Sequence, residues 1–192
     1  TRYESSAASD VYKRQAERTC VNAHSYLPKN MLKEIFKTCK SGNYESSKTG
    51  DNTSRSSTNA WLYVDSWIAG ILHNIMVNVN TDYFNYDLVH FSDNIQVTKY
   101  EKNQEYRWHI DQSPMKEKDQ RTRKLSISFL VNDNFKGGEF EIYNPVNQRQ
   151  ITIPMQAGSY CVFPSWVVHR VKPVTSGTRY SLVAWMDGPQ FK

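Results

Sequence analysis

Apolar residues recur along this chain with two different periods, and the change from one to the other divides it. Over residues 28–40 the helical period holds. Leu32, Ile35, Phe36 and Cys39 share one face, Pro28 suits a first turn, and Gly42 follows as a stop. Residues 42–58 are rich in Ser, Thr, Asn and Gly and read as a loop. Trp61 to Val64 suits a short strand. Asp65 is placed to cap a second helix over 66–79, with Ile68, Ile71, Leu72, Ile75 and Val79 turned inward.

From about residue 94 the pattern alternates instead. Short β-rich runs cover 95–100, 105–109, 124–131, 138–143, 150–153, 159–163, 167–172 and 178–186. Turn signals at Gly137-Gly138, Asn144-Pro145 and Ser176-Gly177 separate many of them. Two helices followed by about eight short strands predict a mainly β fold, a jelly roll buttressed by N-terminal helices. Residues 1–17 lack a useful apolar period and read equally as a foreign leader or a native tail. The expected organisation is therefore that stretch, helical support over 18–93, and a β core over 94–192, with 18–192 as one domain.

Composition narrows this little. With 39% hydrophobic and 22% charged residues the chain is expected to fold. Lys plus Arg number 24 against 19 Asp plus Glu, a net charge of +5. That excess is scattered apart from one cluster at 116–124, so a nucleic-acid partner is not expected. Cys20, Cys39 and Cys161 form no C-x-x-C pair, and their odd number fits a reducing, cytoplasmic setting. No apolar run is long enough to span a bilayer.

The chemical signal is Trp108-His109-Ile110-Asp111. On a strand, residues two apart point to one face, so His109 and Asp111 aim at one point. His169, in another strand-like run, can supply a second imidazole. Two imidazoles and a carboxylate on one face of an octahedron make the 2-His-1-carboxylate set of Fe(II) oxygenases, with open positions left over. Taken alone, each histidine is equally an ordinary half-buried strand residue. Arg179 follows ten residues after His169, and a planar guanidinium grips a carboxylate through two parallel hydrogen bonds. Ser181 shares its face.

The motifs Tyr106-x-x-His109-x-Asp111, Arg123-Lys124-Leu125-Ser126, Gly137-Gly138-Glu139, Phe163-Pro164-Ser165, His169-Arg170-Val171 and Gly177-Thr178-Arg179-Tyr180-Ser181 together resemble the prolyl 4-hydroxylase-like 2-oxoglutarate/Fe(II) dioxygenases, bacterial and viral members above all. The resemblance covers roughly 94–189. It implies a double-stranded β-helix, Fe(II) held by His109, Asp111 and His169, 2-oxoglutarate held by Arg179, Tyr100 and Ser181, and ascorbate as an accessory reductant. It places Gln96, Thr98, Tyr106, Ser126, Ser128, Leu130, Phe140, Val171 and Trp185 around the pocket, and Arg123 on the substrate side. For each of these, plain core packing is the competing reading. The implied reaction hydroxylates an unactivated C–H, with release of succinate and CO2. A prolyl residue in a peptide or protein is the expected substrate; a lysyl residue, a free amino acid or a small metabolite is the alternative.

Two positions depart from the pattern. Glu101–Glu105 lacks the glycine that often precedes the H-x-D, and Leu130 stands where some relatives have a tyrosine. A nucleic-acid demethylase is disfavoured because Trp185 occupies the place of its second arginine. A cupin is disfavoured because no H-x-H occurs, and a jelly-roll domain without turnover because triad and Arg179 are both intact. His24, His73 and His90 have no partner at metal spacing, Cys161 reads as a buried strand residue, and Asp133 and Asp187 read as turn residues. The segment Gln112 to Arg123 reads equally as a substrate lid or a solvated connection. Oligomeric state is not legible.

Overall fold

The computed structural model describes residues 19–25, 27–47, 54–112, 121–144 and 147–190. The leader, most of the basic segment before Arg121 and the Pro145 turn lie outside them. The described chain runs β1 (Val21–His24), α1 (Lys29–Lys40), β2 (Glu45–Ser46), β3 (Thr58–Leu62), α2 (Trp67–Val79), β4 (His90–Phe91), β5 (Ile95–Tyr100), β6 (Tyr106–His109), β7 (Arg121–Leu130), β8 (Phe135–Gly137), β9 (Phe140–Asn144), β10 (Arg149–Ile153), β11 (Ser159–Pro164), β12 (His169–Val171), β13 (Val174–Gly177) and β14 (Arg179–Pro189). The larger sheet has the order β1-β11-β7-β14-β5-β3-β2, with β4 also on β14. The smaller has the order β10-β9-β12-β6, and β13 pairs with β8. This is the jelly roll that the alternating pattern predicts.

Period-two alternation in the large sheet decides what faces what. Ile95 and Val97 of β5, Leu125, Ile127 and Phe129 of β7, and Leu182, Ala184 and Met186 of β14 bury one face against the helices. From α2, Ile68, Ala69, Leu72, Met76 and Val79 pack there. Each fully buried Leu, Ile or Phe contributes roughly 1.5–3 kcal/mol. The opposite face of the same strands bears Gln96, Thr98, Tyr100, Ser128, Ser181, Val183 and Trp185, and these line a cavity between the sheets. One register therefore fixes both the core and the site, because a slip of one residue would exchange the two faces.

Several details differ from the sequence expectation. The N-terminal region is not purely helical: β1, β2 and β3 add strands to the large sheet. The third strand begins at Thr58, earlier than Trp61, because Asn59 and Thr58 pair with Thr98 and Lys99 of β5. Ser66 rather than Asp65 caps α2, its side chain accepting from the Ala69 N–H at 3.3 Å. Asp187 is not a turn residue; it lies in β14 and meets His90 and Arg121. Among the described residues no helix is long and apolar enough to cross a membrane.

Candidate metal centre

β6 and β12 are neighbours in the small sheet, and their register sets His169 opposite His109. Directly paired residues share a face, so the two rings approach to 4.1 Å between centroids. Asp111 comes just after the end of β6. The backbone N–H groups of Asp111 and Gln112 both donate to the carbonyl of Ser165, each at 2.9 Å. Ser165 is itself held by its N–H to the Lys124 carbonyl and by its hydroxyl to Ser126 Oγ at 2.9 Å. The Phe163-Pro164-Ser165 motif thus acts as a bracket for the turn that aims Asp111.

His109, Asp111 and His169 offer donor atoms that lie within 4.8 Å of one another. Each imidazole Nε2 stands 3.6 Å from an Asp111 carboxylate oxygen. Each Nδ1 faces a backbone carbonyl, Arg107 O at 2.7 Å and Val167 O at 2.9 Å. That contact places the proton on Nδ1 and leaves the Nε2 lone pair free to bind a cation. Asp111 Oδ2 is buried without a hydrogen-bond partner among the described residues. Two lone pairs and an orphaned carboxylate oxygen converging on one point fit a divalent ion of the Fe(II) type.

Electrostatics agree with this. Burial alone would raise the Asp111 carboxyl, but the His169 and His109 imidazoles beside it hold it below the usual carboxylate range. Burial pushes the His169 imidazole down to about 4, with His109 adding and Asp111 opposing. His169 is therefore neutral and ready to ligate near pH 7. Its folded value lies below the ordinary 6.5, so on acidification the unfolded chain takes up this proton first. The contribution of His169 to stability is whole above pH 6.5 and drains away as pH falls toward 4, by up to about 1.4 kcal/mol per pH unit. Asp111 is lowered too, and its contribution is lost only as pH falls below its own ordinary value of 3.8. Urea unfolding of metal-free protein is expected to show lower stability at pH 5 than at pH 7.5, and a His169→Asn variant is expected to lose most of that difference.

The cavity has a volume of about 520 Å³, within the range of small-molecule sites. Besides the triad it is lined by Gln96, Thr98, Tyr100, Tyr106, Arg123, Ser128, Phe140, Val171, Ser181 and Trp185. Ser126 and Leu130 lie off this wall. Ser126 is spent on Ser165, and Leu130 borders a smaller hollow behind, next to Arg179. Arg179 is only 1% exposed; it donates to Ser181 Oγ at 2.9 Å and lies 5.6 Å from the centre of the Tyr100 ring.

Glycine makes room for this arginine. Gly138 has φ +65°, and a Cβ there would come within 3.0 Å of Arg179 Cδ. Gly177, at φ +77°, would bring a Cβ to 2.7 Å from the Asn134 carbonyl, so the turn into β14 requires glycine.

Arg123 donates to the Asp111 carbonyl at 3.2 Å, pairs with Asp93 at 2.5 Å, and covers the Trp185 ring at 4.0 Å. Residues 113–120, on which the lid reading falls, lie outside the described residues. The sequence reading missed Arg55, Asn59 and Trp61, which also line the cavity. Arg55 sits in what reads as a polar loop, and no periodicity marks it. The alternation Asn59-Ala60-Trp61 was the available signal for the other two, since Ala60 is buried between them.

Comparison with known proteins agrees with this geometry. Residues 95–187 match the family model described as the 2OG-Fe(II) oxygenase superfamily. A PKHD-type hydroxylase of Hyphomonas neptunium is 38% identical over 85 residues, which cover 43% of this chain and 37% of that protein. Another from Synechococcus elongatus is 34% identical over 93 residues, covering 47% and 41%. The match thus spans about two fifths of the length of these curated relatives. Among solved structures, a Pseudomonas putida prolyl-4-hydroxylase superposes with a TM-score of 0.73 at 18% identity, covering 94% of this chain and 98% of that one. A Trichoplax adhaerens prolyl hydroxylase, solved with a peptide fragment of the hypoxia inducible factor oxygen degradation domain, gives 0.73 at 19%, covering 94% and 88%. At these identities the structural likeness establishes the fold.

Proposed function

We propose, from the match of residues 95–187 to the 2OG-Fe(II) oxygenase superfamily model, that the protein is a 2-oxoglutarate- and O2-dependent hydroxylase acting on a prolyl residue of a peptide or protein. The observation that carries this reading is the convergence of His109, Asp111 and His169 in one cavity with a buried arginine behind it. His109, Asp111 and His169 would hold Fe(II), and Arg179 with Ser181 and Tyr100 would hold the far carboxylate of 2-oxoglutarate. The metal and cosubstrate supply the oxidising chemistry: O2 is consumed, 2-oxoglutarate leaves as succinate and CO2, and one oxygen atom enters the substrate C–H.

The chain's own residues do the rest. The bracket at Ser165 holds Asp111 on target, and the Nδ1 contacts fix both imidazoles. Phe140, Phe163 and Val171 give the cavity an apolar side next to the triad. At the mouth, Trp61, 52% exposed, and Ile110 offer apolar surface to an extended chain. The peptide in the Trichoplax structure supports a polypeptide substrate by analogy of fold.

The test is a screen of proline-containing peptides, lysine-containing peptides and free amino acids. It reads succinate release and, by mass spectrometry, the gain of one oxygen atom. Oxygen gain on a prolyl residue supports the substrate reading. Oxygen gain confined to lysyl residues or free amino acids overturns it while leaving the reaction class in place.

A further inference from the structure

The described arginines fall into three groups. Arg107, Arg121, Arg123 and Arg170 each pair with a carboxylate, on Glu105, Asp187, Asp93 and Glu141. Arg149 is exposed on β10. Arg179 is buried and Arg55 half-buried, and neither pairs with a carboxylate among the described residues. A guanidinium withdrawn from water without a counter-charge is costly, and such a group persists where an anion is to be bound. Arg179 has its anion in the function proposed above. Arg55 lines the cavity beside the triad with no carboxylate partner among the described residues.

The setting of Arg55 is built. Nε donates to Ser57 Oγ at 2.8 Å. One terminal nitrogen donates to Asn59 Oδ1 at 2.8 Å and to Thr98 Oγ1 at 3.2 Å. The other has only a long contact, 3.4 Å to Gln96 Oε1. All four partners are neutral, so they orient the fork without cancelling its charge. The guanidinium lies over the Tyr106 ring at 4.7 Å, and Tyr106 in turn stacks on the ligand His109, with centroids 3.4 Å apart. Glu45, exposed at the cavity rim, makes no ion pair with it. The cation is thus held rigid beside the triad, with its less satisfied edge available.

We propose that Arg55 anchors a carboxylate of the substrate, separate from the carboxylate site at Arg179. This rests on the oxygenase reading for the identity of the substrate, but not for the binding itself. The carboxylate belongs either to a free amino acid or to an acidic residue of a polypeptide. In both cases the reacting C–H would be set at a fixed distance from the triad by a charge-assisted fork.

Two measurements test it. In the first, the full chain labelled with 15N-arginine is titrated with sodium acetate, first without metal and then with Zn(II) and 2-oxoglutarate; sodium chloride and acetamide serve as controls. The Arg55 Nε–H resonance, identified by its loss in Arg55→Gln, is expected to shift saturably with acetate and not with the controls. It should still do so when 2-oxoglutarate occupies Arg179. No saturable shift in the metal-free protein overturns the proposal whether or not the protein is an oxygenase.

In the second, succinate release is compared for free amino acids against their carboxamides, and for capped proline peptides bearing Glu or Asp against Gln or Asn. Whichever set is turned over identifies the source of the carboxylate. The acid is expected to be preferred by about fiftyfold in kcat/KM. Arg55→Gln should bring that preference to within about twofold, mainly through KM, and Arg55→Lys should restore part of it. An amide used as well as its acid, or a preference that survives Arg55→Gln, assigns Arg55 to holding the 54–59 segment on β5. If neither set is turned over, the acetate titration decides alone.

Discussion

Replacing Asp111 with alanine is expected to reduce 2-oxoglutarate-dependent succinate formation by at least about a thousandfold, with little change in the folded state. Asp111 is the anionic member of the triad, and its Oδ2 has no other partner among the described residues. Removing it leaves only two imidazoles to hold a dication. Loss of groups that merely orient metal ligands typically costs 10–100-fold in metal affinity or activity, and loss of the ligand itself exceeds that. The fold should survive, because the tie to Ser165 runs from the Asp111 backbone N–H, which alanine keeps. The measurement is succinate released when O2 is admitted to anaerobically reconstituted protein, alongside circular dichroism. A variant that turned over like its parent would remove the triad from the reaction.

The second large effect is expected at Arg179. Arg179→Met should raise the KM for 2-oxoglutarate by about a hundredfold to a thousandfold. Breaking a buried charge pair by removing one partner costs about 3–5 kcal/mol, and each 1.4 kcal/mol is tenfold in affinity. Without 2-oxoglutarate the sign reverses. Burial lowers the pKa of the guanidinium, with Tyr100 opposing, and its hydrogen bond goes to the neutral Ser181. A methionine of similar length removes that unneutralised charge, so the variant should unfold at the same temperature as the parent or higher. Added 2-oxoglutarate should raise the melting temperature of the metal-loaded parent and leave that of the variant almost unmoved. Equal stabilisation of both would place the cosubstrate carboxylate elsewhere.

The legible part of this protein was the part written in alternation. Along β5, β7 and β14, apolar residues facing the helices alternate with Gln96, Thr98, Ser128, Ser181 and their neighbours facing the cavity, and period two is readable without coordinates. His109 follows the same rule as the last residue of β6, but Asp111 lies beyond the strand and is aimed by the turn held at Ser165, which alternation does not show. Short or edge elements were not legible. The strands β2 and β4 have two residues each, too few to show any period, and β8 has three. β1 is paired through its register with β11, and nothing local to Val21–His24 announces that. Arg55 illustrates the same limit at the site. Its role comes from Thr98 and Gln96, more than forty positions away, and from the ring of Tyr106. Ser126 shows the converse, since alternation places it on the inward face but its hydroxyl goes to Ser165, away from the cavity.

The most direct measurement is an anomalous difference map at the iron edge, from crystals grown anaerobically with Fe(II) and 2-oxoglutarate. One peak is expected, about 2.0–2.2 Å from His109 Nε2, His169 Nε2 and an Asp111 carboxylate oxygen, with the far carboxylate of 2-oxoglutarate against Arg179. Iron held by other residues, or a cosubstrate turned away from Arg179, would contradict the account.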